Sequence, residues 1–195
     1  MQSEEMERLI FFEQTRLEAT AKTQSDPKDT QGWLQLGGSL LELAHFRRGA
    51  EAHDMLRESI DAFEKVLKLD PNKHEAMWCL GNALTSEGFL GIDRDEAIAK
   101  FEKASVFFDQ AYRLAPQNEH YKKSMEMAPK AEQIYDQVHA GPEPMMMGGG
   151  GPMPPPASSI DQKNDDFFYT CVGWGVLAAS IITFAMFAPK PPPLA

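Results

Sequence analysis

The side chains best suited to covalent or metal chemistry are few and scattered. Histidines stand at 45, 53, 74, 120 and 139, and cysteines at 79 and 171. A zinc hydrolase of the H-E-x-x-H type needs two histidines on one helix face with a glutamate as base. None of these histidines has that neighbourhood, and no carboxylate pair at helical spacing stands beside one. The nucleophile elbow G-x-S-x-G and the phosphate loop G-x-x-x-x-G-K are both absent. The glycines at 148 to 151 lie between prolines rather than between a strand and a helix, so they form no phosphate cradle. Cys79 and Cys171 are too far apart in the chain to read as a disulfide framework or a ligand cluster, and a reducing compartment suits them. No enzyme, cofactor or metal site is expected. Recognition is what remains.

Charge narrows the partner. Lys and Arg total 19 against 29 Asp and Glu, a net charge of −10. That field repels a phosphate backbone, which excludes nucleic acid, and attracts cations. The first residues, "MQSEEMERLIFFEQ", carry Glu4, Glu5 and Glu7. Neither a secretory signal nor an Arg-rich, acid-poor transit peptide has that composition.

The elements that would position a binding surface are visible as an internal repeat. "WLQLGGSLLEL" at 33–43 aligns with "MWCLGNALTSE" at 77–87, so Leu36-Gly37 recurs as Leu80-Gly81. Downstream, "SIDAFEKVLKLDP" aligns with "ASVFFDQAYRLAP", placing Phe63, Leu69 and Pro71 on Phe108, Leu114 and Pro116. Each unit resembles the tetratricopeptide pattern: W-x2-L-G, then an A-x3-F block, then a proline. The resemblance implies an all-α array of antiparallel helical hairpins. Here it comprises two repeats, each about ten residues longer than the pattern from the Leu-Gly pair to the proline. Longer helices or larger turns would absorb the excess. Two repeats leave open apolar ends, so helices at about 4–24 and 118–138 are expected to cap them.

In that family the first helix of each repeat lines a concave groove. The inward positions are then Gln31, Leu34, Gly38, Leu41 and Glu42, and Glu75, Trp78, Asn82, Thr85 and Ser86, with Phe89 one turn further. Trp33 falls on the pattern's packing position, whereas Trp78 is displaced by one; packing and groove exposure are both open to it. Chaperone-docking members grip a C-terminal carboxylate with Lys and Asn at the positions held here by Leu34 and Gly38, so that clamp is missing. An apolar trough with carboxylates such as Glu42, Glu75 and Glu87 around it suits an amphipathic helix with a cationic face. Mitochondrial presequences have that form.

Beyond this domain, residues 1–140, lies a Gly/Pro/Met-rich stretch, 141–166, that cannot support a packed core. It reads as a tether of roughly 28 Å end to end. The Met145–Met147 run belongs to it. Residues 167–188 carry no charge, bounded by Asp165 and Asp166 before and Pro189 and Lys190 after. As a helix they would cover roughly 33 Å, enough for a hydrocarbon core, and they show no polar stripe of the kind a buried helix in a soluble domain has. A tail anchor is expected, with the domain facing the cytosol and a short tail at 189–195. Gly173, Gly175 and Ala179 could let two such helices approach closely.

This arrangement resembles one known family. The acidic two-repeat domain, the tether and the C-terminal anchor, with "LIFFEQTR", "WLQLGGSLLELA", "EAMWCLGNALTS" and "NEHYKKSMEMAPKA", are similar to the plant-type small presequence receptors of the mitochondrial outer-membrane translocase. The resemblance implies a single-pass outer-membrane receptor that binds precursor proteins and passes them to the translocation pore beside other translocase subunits. The competing expectation is a tail-anchored adaptor for membrane fission; those have short basic tails, where this chain offers only Lys190.

Overall fold

A computed structural model describes residues 3–140. Seven α-helices follow one another: α1 (Ser3–Ser25), α2 (Thr30–Ala44), α3 (Gly49–Leu69), α4 (His74–Leu90), α5 (Arg94–Leu114), α6 (Glu119–Met127) and α7 (Ala131–His139). A 3-10 turn at Ala128–Lys130 lies between the last two. No strand occurs among the described residues. The linker, the 167–188 segment with Gly173, Gly175 and Ala179, and the tail lie outside them. Among the described residues no helix is long and apolar enough to cross a membrane.

The helix boundaries are written locally. Asp26-Pro27 and Asp70-Pro71 end α1 and α3, and each aspartate turns the chain by accepting the amide two residues on, from Lys28 at 3.0 Å and Asn72 at 3.1 Å. Proline has no amide to continue a helix, and aspartate competes for the backbone at such turns. Asp29, Asp93 and Asn118 then cap α2, α5 and α6, accepting from Gln31, Glu96 and His120. Between α2 and α3 the chain needs a left-handed residue, and Gly49 supplies it with φ 58°.

Helices pack mainly on their neighbours in the chain, and α2 and α4 meet only at their margins. Two hairpins, α2–α3 and α4–α5, repeat the same contact. A Cβ on Gly37 would stand 2.7 Å from the Phe63 ring, and one on Gly81 2.5 Å from the Phe108 ring. The glycines let each ring lie flat against a helix backbone, and burying each ring contributes about 2–3 kcal/mol. Ser59, fully buried, ties the first hairpin by donating to the Gly37 carbonyl at 2.7 Å.

The extra length of the repeats resides in the helices, not in the turns: α3 and α5 are each 21 residues long. The single helix expected at 118–138 is instead broken. Pro129 forces a 3-10 turn, after which α7 folds against the other end of α5. Arg94 holds it there with a fork, Nε donating to Asp136 at 2.7 Å and Nη2 to Glu132 at 2.7 Å, while the Tyr135 hydroxyl donates to the Gly91 carbonyl at 2.9 Å. That guanidinium holds the Asp136 carboxyl below the usual range.

Candidate functional site

The expected inward positions form two stripes. On α2, Leu34, Gly38, Leu41 and Glu42 follow at helical spacing; on α4, Glu75, Trp78, Asn82, Thr85 and Ser86 do the same. Leu34, Leu41 and Trp78 all belong to the core cluster shared by the two hairpins. The degree of exposure differs from expectation. Leu34, Leu41 and Trp78 are 4%, 5% and 2% exposed, so they support the surface from beneath rather than line it. The reason lies in the capping helices. α6 covers the α4 stripe: the Trp78 indole N–H donates to the Ser124 hydroxyl at 2.8 Å and its ring lies 5.7 Å from that of Tyr121. A groove-exposed Trp78 is thereby corrected to a packed one. Phe89 lies 4.8 Å from the Phe101 ring in a separate small cluster with Tyr135, away from the other stripe residues.

Glu42 is the second correction. Expected on the rim, it is 2% exposed. α1 crosses it, and Arg8 places Nη2 3.3 Å from its Oε2. Its Oε1 has no hydrogen-bond partner among the described residues. Burial pushes the carboxyl up to about 7, and Arg8 opposes that only in part.

What stays open lies between these buried residues. Gly38 is half-buried, and no atom lies within 4 Å of where its Cβ would stand, so the α2 stripe has a notch between Leu34 and Leu41. The corresponding residue of the second repeat is Asn82, half-buried, whose Nδ2 has no partner among the described residues. Thr85 and Ser86 are half-buried too, Thr85 bonding back to the Gly81 carbonyl. Glu75 is half-buried beside Lys73 at 3.6 Å, and Glu87 beside Lys100 at 3.5 Å. Gln31 is exposed at the outer end.

Cys79 packs against the core near this surface. Burial, then the charges of Glu75 and Glu42, push its thiol up to about 12. It stays a neutral thiol at physiological pH, unfit as a nucleophile. Among the described residues no group of three His, Cys, Asp or Glu side chains could hold a metal. The surface can therefore bind by shape, apolar contact and acceptor groups, and has no equipment for bond-making.

Known proteins point the same way. The family described as plant-specific mitochondrial import receptor subunit TOM20 matches residues 6–189. The chain belongs to this family. In Arabidopsis thaliana, mitochondrial import receptor subunit TOM20-3 is 38% identical over 187 residues, covering 94% of this chain and 93% of that protein. Subunit TOM20-4 is 37% identical over 190 residues, with 97% and 96% covered, and TOM20-2 is 39% identical over 133 residues, with 68% and 63% covered. The chain is thus a receptor of mitochondrial protein import and not an enzyme, and of the two readings left open by the sequence the fission adaptor falls away.

Sequence reasoning missed Arg8, Tyr121 and Ser124, which meet the two stripes, and Phe46, whose ring lies 5.9 Å from the Arg8 guanidinium carbon. One signal was present. Glu42 interrupts the apolar run Leu40-Leu41-Glu42-Leu43-Ala44, and a carboxylate in such a place demands a partner.

Proposed function

We propose that the receptor binds amphipathic presequences of precursor proteins along the α2 and α4 stripes and hands them to the translocation pore. The hairpins are read as a tetratricopeptide-like array whose first helices carry the ligand. The 167–188 segment serves as a single-pass anchor in the outer membrane, its helix packing through Gly173, Gly175 and Ala179, with residues 1–140 in the cytosol and 141–166 as tether. The observation that carries the reading is the open space at Gly38 on the α2 stripe, matched at the same repeat position on α4 by an Asn82 amide that has no partner among the described residues. An apolar side chain of the ligand fits the notch, and the carboxylates Glu75 and Glu87 meet its cationic face. Leu34, Leu41 and Trp78 act from below by fixing the helices; Asn82 and Thr85 border the ligand, while Phe89, packed with Phe101 and Tyr135, lies apart from it.

The test is a titration of the full chain in phosphatidylcholine nanodiscs with an Arg-rich amphipathic peptide and a scrambled peptide of equal composition, empty discs being subtracted. Selective binding of the amphipathic peptide that survives moderate salt is expected. Equal binding of both, lost in salt, would reduce the interaction to attraction by an acidic surface.

A further inference from the structure

One side chain is in an unusual position for a receptor of cationic ligands. The Arg8 guanidinium places Nη2 3.3 Å from Oε2 of the buried Glu42, and its carbon lies 5.9 Å from the centroid of the Phe46 ring. A carboxylate on one side and an aromatic face on another are the two features that recognise a guanidinium. The pairing leaves Glu42 Oε1 without a hydrogen-bond partner among the described residues, and Arg8 keeps 43% of its side-chain surface exposed. A guanidinium bound at full strength would engage both oxygens as a fork.

Arg8 is carried on α1, a helix with apolar residues on two faces. α1 buries Phe12, Ala19 and Thr23 against the array while Met6, Ile10 and Leu17 stay 43%, 58% and 61% exposed along another face.

We propose that Glu42 and Phe46 form a guanidinium-binding pocket, occupied in the resting receptor by Arg8, into which an arginine of the incoming ligand exchanges. The inference deepens the presequence reading and rests on it for the identity of the exchanging ligand. The exchange is a swap of ion pairs, so the buried carboxylate is never left without a cation, which would be strongly unfavourable. Arg8 then acts as an internal competitor: it keeps the pocket formed and lowers the apparent affinity, as a receptor that must release its cargo requires.

The experiment uses the full chain in phosphatidylcholine nanodiscs carrying Arg8→Ala, Glu42→Gln or both. Millimolar methylguanidinium should raise the melting midpoint of Arg8→Ala toward that of the wild type, methylammonium should do so far less, and neither should act on the double variant. The Arg-rich amphipathic peptide should bind Arg8→Ala about fivefold tighter than wild type once the competitor is gone. The same peptide with citrulline for arginine should show no gain, and Glu42→Gln should abolish the gain. If Arg8→Ala does not fold even with methylguanidinium, Arg8→Lys, which keeps the charge but loses the planar fork, should show a smaller gain in the same direction.

Absence of guanidinium-specific rescue, or an unchanged or weaker affinity in the folded Arg8 variants, would overturn the pocket. The rescue involves no peptide, so it separates the two readings. Rescue without any preference of the wild type for the amphipathic peptide would leave the guanidinium pocket and overturn the exchange along with presequence recognition. Peptide selectivity without rescue would overturn the pocket alone.

Discussion

The two hairpins share a design and are closed in opposite ways. In both, a glycine on the first helix receives a phenylalanine ring from the second, Gly37 with Phe63 and Gly81 with Phe108. The first hairpin has its inward stripe covered by α1 through a charge, Arg8 on Glu42; the second has it covered by α6 through aromatics, Trp78 on Tyr121 with Ser124. An aromatic closure is not screened by salt, although here the Tyr121 hydroxyl also meets His74 Nδ1 at 3.0 Å. A single ion pair over a buried carboxylate is responsive to salt and pH. The first closure is thus the more responsive of the two to salt.

The contrast can be broken most severely at Trp78. Trp78→Ala should destabilise the domain by about 3–5 kcal/mol, leaving a cavity under α6. Urea unfolding of the full chain in mild detergent, followed by helical circular dichroism, would show it. A variant that loses peptide binding while keeping its midpoint would instead make Trp78 a contact residue.

Titration comes next. Folded Glu42 holds its proton to about 7, above the range of an unfolded glutamate. The folded state therefore binds more protons between those values. This contribution to stability is fully present below about 4.3 and is lost as pH rises through about 7, amounting to at most about 4 kcal/mol. The difference in unfolding free energy between wild type and Glu42→Gln should shift against the wild type from pH 5 to pH 8. A constant difference would mean that Arg8 already keeps the carboxylate charged.

The shared design gives a finer comparison. Gly81→Ala and Gly37→Ala each press a methyl group onto a ring, and each should cost about 1–3 kcal/mol. Gly81 should be the more sensitive, its approach being 2.5 Å against 2.7 Å. Gly38 is the reverse case. With open space at its Cβ, Gly38→Ala should raise stability by about 0.5–1 kcal/mol through helix propensity alone. Peptide affinity should fall as the notch fills. Higher stability with unchanged affinity would separate the notch from binding.

Which parts of this were legible in the sequence follows from range. The hairpins were, because a Leu-Gly pair, a phenylalanine block and a proline turn are local signals that recur 44 to 45 residues apart. The coverings were not. Arg8 meets Glu42 across 34 residues and Trp78 meets Ser124 across 46, and nothing in a repeat pattern says which neighbour docks on its open end. Glu42 and Trp78, placed on a groove by the pattern, were for that reason found buried, whereas Gly38, Asn82, Thr85 and Ser86 stay half-buried. The break at Pro129 was visible as a residue type, but its consequence, sending α7 back along α5, depends on Arg94 and Tyr135 contacts formed only in the fold.

Amide hydrogen exchange of the full chain in nanodiscs, with and without the Arg-rich amphipathic peptide, tests the central claim most directly. Slower exchange concentrated on α2 and α4, around Gly38 and Asn82, is the predicted result. Protection confined to α3 and α5, or spread evenly over the acidic surface, would contradict it.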